Sequence, residues 1–185
     1  MLGLLAFRLT WGLVGSTYAR FMTFVRGPQT ILAYLRGQWR GVGHNPLGAL
    51  SVLGLLSVLV AQGLTGLFAN DDIAFQGPYA VLVSTDTSTW ITGLHKTNVW
   101  LLGFLIATHL GAIAFYARVK HDNLVKPMLL GYKEVEGEEF KSAAGGGWLA
   151  LLVAVLIGLG AWWLANGGLA ERLAPPPPAA AAPLF

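Results

Sequence analysis

Residues 47–68 form a run, LGALSVLGLLSVLVAQGLTGLF, that contains no charged side chain. Three more apolar segments occupy residues 1–17, 93–117 and 147–165. A helix of about 20 apolar residues spans the hydrocarbon core of a bilayer. Charged residues make up only 11% of the 185 residues, against about a quarter in soluble domains. Because a chain in lipid must satisfy its backbone polar groups internally, the sequence predicts an all-α fold, an integral membrane helical bundle with about four transmembrane helices.

The first apolar segment, residues 1–17, is short for a membrane helix. At the rise of an α-helix it reaches roughly 25 Å, against about 30 Å for a hydrocarbon core. It has no basic start and no small-residue cleavage site, and Arg8 interrupts it, so a signal peptide is not indicated. We interpret it as part of a membrane helix that is cut short at Met1.

The charges of the loops predict an orientation in the membrane. Residues 18–46 contain four arginines and no acidic residue, whereas residues 69–92 contain three aspartates and no lysine or arginine. The third loop is again rich in lysine, mixed with the acidic run from Glu134 to Glu139. The positive-inside rule therefore places the first and third loops in the cytoplasm and the second outside.

The sequence changes character after residue 133. Residues 1–133 form the predicted membrane domain, and residues 134–146 a cytoplasmic linker. Residues 147–165, which carry no ionisable side chain, are predicted to be a C-terminal transmembrane helix with a packing or anchoring role. Residues 166–185 end in APPPPAAAAPLF, a composition that cannot build a core and indicates disorder.

Two histidines, His95 and His109, bracket much of the third apolar segment. On a helix they share a face, about 21 Å apart along the axis. This is too far for one metal ion and suits two sites, one near each membrane surface. A neutral imidazole is a good axial ligand for haem iron, and a neighbour such as Thr108, or a carbonyl one turn earlier, can orient its second nitrogen. The alternative for His95 alone is an ordinary interfacial residue.

The other candidate residues also have structural alternatives. Arg8 costs a few kcal/mol in a membrane unless it is paired or snorkels, and a haem propionate would be a suitable partner. His44 and His121 fall in loops, and we expect neither to complete a site. Small residues in the second apolar segment either admit a porphyrin ring or serve helix packing: Gly48, Gly54, Gly63 and Gly66. The absence of cysteine excludes disulfides and thiolate chemistry within this chain.

Residues 5–133 resemble the bacterial cytochrome b561 and nickel-iron-hydrogenase b-type cytochrome family. The resemblance rests, in order, on FRLTWGLVGSTYARFMTFVRGP, GHNPLG, GLFANDDIAFQGPYAVLVS, LHKTNVWLLGFLIATHLGAIAFY and NLVKPMLLGYK. Members are four-helix membrane proteins that bind b-type haem and carry electrons between quinones, hydrogenases or other redox partners. The resemblance implies a bacterial inner-membrane protein in which His95 ligates the outer haem and His109 the inner one.

The resemblance also implies ligands that this sequence does not contain. Family members supply the opposing histidines from their first two core helices, yet no histidine precedes His44 here. Either the start is misassigned and the protein extends upstream, or a second subunit supplies the missing helices, or the chain no longer binds haem.

We expect a membrane electron carrier, not a stand-alone enzyme, with two b-type haems in the complete protein. Its expected partners are lipid, a quinone and a redox protein of hydrogenase or cytochrome c type, with no nucleic acid. The alternative is a haemless membrane anchor or interaction subunit. A transporter would need ionisable or broken-helix features near the midplane, which are lacking apart from Arg8 and His109.

Overall fold

The computed structural model describes residues 1–39, 41, 43–131 and 142–173. Within these residues the chain is helical and contains no strand, which confirms the all-α prediction. The helices are α1 (Leu2–Val14), α2 (Phe21–Phe24), α3 (Pro28–Leu35), α4 (Pro46–Phe68), α5 (Thr85–Arg118), α6 (Val125–Leu130), α7 (Trp148–Ala165) and α8 (Ala170–Leu173).

Three helices, α4, α5 and α7, are long and apolar enough to cross a membrane, and α1 is a shorter apolar helix. The chain is therefore a multi-pass membrane protein. Helix α4 begins where HNP predicts: Pro46 occupies its first turn, and the Asn45 side chain accepts a hydrogen bond from the Gly48 amide at 2.7 Å.

Helix α5 begins at Thr85, well before the predicted start at residue 93. The sequence prediction followed apolar residues, whereas the first turns of this helix are polar. Ser84 caps it by accepting from the Thr87 amide at 3.3 Å, and Asp86 lies in the first turn, where a negative charge is favourable. The polar cap therefore lets α5 begin before the apolar segment.

The bundle consists of two helix pairs. Helix α1 packs mainly against α7, and α4 mainly against α5, with a narrower contact between α1 and α4. At the first crossing a Cβ atom on Gly3 would lie 2.8 Å from the carbonyl oxygen of Gly158. The two backbones touch there because neither residue has a side chain.

A single stripe of α5 faces α4. From His95 to the end of the helix the less exposed residues recur at every third or fourth position: His95, Asn98, Leu102, Leu105, His109, Ile113 and Tyr116. Residues off this stripe are open, and Trp100, for example, is 82% exposed. Both histidines lie on the stripe, as the helical spacing predicts.

Parts of the predicted linker and tail lie outside the described residues, namely residues 134–141 and 174–185. The described beginning of that tail continues from α7 into α8. Asn166 donates from its side chain to the Trp162 carbonyl at 2.7 Å, and Gly167 adopts a left-handed φ of 86° that turns the chain towards α8. Disorder of the tail stays a prediction, because residues 174–185 lie outside the described part of the chain.

Candidate functional site

The His95 ring lies against α4 with both nitrogens near polar side chains of that helix. Its Nδ1 atom is 3.0 Å from Oγ1 of Thr65, and its Nε2 atom is 2.9 Å from Nε2 of Gln62. A Cβ atom on Gly66 would lie 3.1 Å from Cε1 of His95. The ring can approach α4 this closely because Gly66 has no side chain.

The glycines of α4 have different surroundings, and approach of a porphyrin ring to them stays a prediction. Gly66 admits the His95 ring, whereas a Cβ atom on Gly63 would lie 2.5 Å from Cδ2 of Leu2 on α1. Gly48 lies beside its own cap, Asn45. Glycines here therefore serve both ring contact and helix packing.

A cavity of about 480 Å³ adjoins His95 between α1, α4, α5 and α7. Gln62, Gly63, Gly66 and His95 line one side. The other side is lined by residues from the ends of α1 and α7: Met1, Leu2, Gly3, Trp162, Ala165 and Asn166. Helix α7, which lies beyond the sequence resemblance, therefore lines the same cavity as His95.

The His109 ring is oriented by α4 in a similar way. Its Nδ1 atom is 3.1 Å from Oγ of Ser51, and its Nε2 atom makes no hydrogen bond within the described part of the chain. Thr108, which the sequence suggested as an orienting neighbour, instead donates to the Phe104 carbonyl at 2.9 Å. That suggestion was wrong because a helical threonine hydroxyl reaches the carbonyl one turn back.

Arg8 lies close to the first loop. Its Nη1 atom is 3.5 Å from the Ala19 carbonyl, and its guanidinium carbon lies 5.2 Å from the centre of the Phe21 ring. Contact with an aromatic face favours a cation. No ion pair to Arg8 occurs among the described residues, so the guanidinium keeps donors for an anionic group.

His44 lies nearer to this region than the loop prediction implied. Its ring centre is 4.7 Å from that of Phe24. Partial desolvation lowers the pKa of His44, and the positive charge of Arg8 lowers it further. The first loop thus folds back towards the half of α5 that contains His109, which the sequence did not predict.

A polar cluster fastens this loop to the helices. Tyr34 and Tyr116 are joined through their hydroxyl groups, and Asn45 donates from its side chain to the Tyr116 hydroxyl at 2.8 Å. Asn45 therefore caps α4 and holds the end of α5 at the same time. The capping role is readable from HNP, but the contact with Tyr116 is not.

These side chains fit single imidazole ligation better than a metal cluster. No group of three or more His, Cys, Asp or Glu side chains converges within the described residues. Haem does not need such a group, because the porphyrin supplies four of the iron ligands and the protein supplies axial ones. His95 and His109 each have Nδ1 beside a hydroxyl oxygen, the kind of neighbour that orients a ligand imidazole.

Comparison with known proteins agrees with this chemistry. The family model for prokaryotic cytochrome b561 matches residues 1–131. The chain matches no curated protein and no solved structure. Because the match covers most of the chain and the helices are those of a membrane protein, the chain belongs to the prokaryotic cytochrome b561 family, a family of membrane b-type cytochromes in electron transfer.

Proposed function

We propose that the chain carries electrons across the bacterial inner membrane between a quinone and a protein redox partner, in a respiratory or hydrogenase-linked chain. The observation that supports this most strongly is the pairing of two α5 histidines with two α4 hydroxyl groups, His95 with Thr65 and His109 with Ser51. Each hydroxyl can fix Nδ1 of its ring and direct Nε2 away from that contact, although Nε2 of His95 also meets Gln62.

Each proposed ligand has a defined task. His109 would hold the inner haem through Nε2, and His95 the outer haem, while Arg8 would neutralise a propionate. When bound, haem supplies an iron that takes up and releases one electron at a time. The hydroxyl groups of Thr65 and Ser51 would orient the two imidazoles.

Any further haem ligands would come from elsewhere than α4, because that helix contains no histidine. We propose that they lie on helices upstream of Met1 or on a second subunit, and that the complete protein holds two haems. We also propose that the loops containing residues 18–46 and 118–146 face the cytoplasm, as their positive charges indicate.

A second candidate function is a haemless membrane anchor. It is favoured by His95, whose two ring nitrogens already have polar partners in Thr65 and Gln62. On this alternative the polar contacts merely join α4 to α5.

Quinol reduction tests the proposed function. Membranes containing the chain, expressed with the reading frame upstream of Met1, would be treated first with a water-soluble quinol and then with dithionite. The carrier function predicts a b-type haem band that quinol raises in part and dithionite completes. A haem band that quinol never raises would contradict the quinone link, and no haem band with either reductant would favour the anchor.

A further inference from the structure

Gln62 places an amide group in the contact between α4 and α5, where only 8% of the residue surface is exposed. A buried amide between apolar helices is stable only when its polar atoms find partners. Here the partners are Asn98 and His95, both on α5. Together they form a chain of hydrogen bonds whose direction is determined by its ends.

The first end lies at the backbone of α4. The Asn98 group 3.0 Å from the Val58 carbonyl must be its NH2, because a carbonyl oxygen only accepts. The other hydrogen of that NH2 group donates to the Gln62 side chain at 2.8 Å. The Gln62 atom at this contact is therefore its oxygen, which fixes the orientation of the amide.

The NH2 group of Gln62 consequently faces His95. It donates to Nε2 of His95 at 2.9 Å, so Nε2 must carry a lone pair. In a neutral ring the proton then lies on Nδ1, which donates to Oγ1 of Thr65 at 3.0 Å. Thr65 accepts this bond while its own hydroxyl donates to the Ala61 carbonyl at 2.7 Å. The series of hydrogen bonds thus ends at both sides on backbone carbonyls of α4.

We propose that Gln62 and Asn98 are positioning residues that hold His95 as the Nδ1–H tautomer, with the Gln62 amide covering Nε2 until iron replaces it. This tautomer is the one whose Nε2 lone pair can bind a metal. The cavity of about 480 Å³ borders both Gln62 and His95, which gives the displaced amide space to move. The covering role rests on the proposed function, whereas the tautomer is a property of the chain without haem.

The tautomer is tested by 15N NMR of the purified, haem-free chain labelled on histidine, at a pH well above the ordinary imidazole pKa of about 6.5. Replacing each histidine in turn assigns the signals of the four rings. We expect the proton of His95 on Nδ1. In Gln62→Glu an acceptor-only carboxylate replaces the donor, so we expect a proton on Nε2.

The matched control is Gln76→Glu, which changes an exposed glutamine outside the network and should leave the proton on Nδ1. A wild-type ring protonated on Nε2 would overturn the proposal without any variant. So would a folded Gln62→Glu chain whose Nε2 remains unprotonated.

Haem uptake by an upstream-extended form of the chain tests the covering role. In a His109→Ala background, which leaves only the outer ligand, Gln62→Met should take up added haem about fivefold faster than its parent, the ratio expected for losing one neutral hydrogen bond. Gln76→Met should match the parent. Unchanged or slower uptake in Gln62→Met would overturn the covering role. Failure of every variant to bind haem, together with the expected NMR result, would contradict the proposed function and leave the tautomer assignment standing.

Discussion

Oγ of Ser51 lies 3.1 Å from Nδ1 of His109, and the same contact recurs between Thr65 and His95 at 3.0 Å. The two hydroxyl residues are separated along α4 by the same number of positions as the two histidines along α5. Because both helices have the same period, the antiparallel pair presents one hydroxyl to each ring. This repeated contact supports the proposal that His95 and His109 are the haem ligands.

Removing the hydroxyl group of Ser51 should weaken haem binding at His109. We expect Ser51→Ala to lower haem affinity at the inner site roughly 10- to 100-fold, the usual effect of losing an orienting partner of a ligand histidine. Haem titration of the purified protein measures this. Ser57→Ala, at an exposed serine of the same helix, is the control and should bind as wild type. Equal affinity in Ser51→Ala would contradict the role given to the hydroxyl.

Asn45 has two separable contributions to stability. Asn45→Ala removes the α4 cap and the bond to Tyr116, so we expect the free energy of unfolding to fall by about 1–2 kcal/mol. Asn45→Asp keeps the capping oxygen but loses the donor to Tyr116, and should be destabilised less. Thermal unfolding in detergent measures both. An Asn45→Asp chain as unstable as Asn45→Ala would show that capping is not the larger contribution.

The contact between α1 and α7 depends on the absence of side chains. A Cβ atom on Gly158 would lie 3.0 Å from the Gly3 carbonyl oxygen and 3.2 Å from Cβ of Phe7. We therefore expect Gly158→Val to separate the two helices and lower the thermal midpoint by several degrees. Gly160→Val has open space around the new atom and provides the comparison on the same helix. Similar midpoints for the two variants would be evidence against this crossing.

The loop after α4 should lose stability in acid. Three backbone amides, those of Phe75, Ala74 and Ile73, donate to the Asp71 carboxylate and lower its pKa. Because the pKa is lower in the folded chain, the stabilisation is complete at pH above about 4 and is lost as pH falls through the lowered pKa. Hydrogen-exchange protection of these amides measures it.

Asp71→Ala should reduce that protection near neutral pH and differ little from wild type in strong acid. A difference between the two chains that stays constant across the whole pH range would contradict the assignment to the carboxylate.

The helices and the shared face of the two histidines could be predicted from sequence because each depends on one segment at a time. Apolar length predicts the membrane helices, and helical period places His95 and His109 on one stripe. Ser51, Gln62 and Thr65 could not be identified, because their roles depend on the register between α4 and α5. The available signal for a polar contact was a glutamine, Gln62, in an otherwise apolar, charge-free segment.

The first loop was the least predictable region. Its basic residues indicated a side of the membrane, and nothing in its local pattern indicated that Tyr34 would meet Tyr116 or that His44 would lie against Phe24. Such contacts form between residues far apart in the chain. They therefore become visible only when the helices are packed.

The most direct test is a dithionite-reduced minus oxidised spectrum of membranes that contain the chain as numbered here, beside an upstream-extended form. In the extended form we predict a b-type haem band. The band should be weaker in His95→Ala and weaker in His109→Ala, each as a single variant, whereas His121→Ala should match the parent. A band in the chain as numbered that is lost in His109→Ala would assign the opposing ligand to His44, His121 or another subunit. No band in either form, or a band unchanged by both ligand variants, would contradict the assignment of haem to α5.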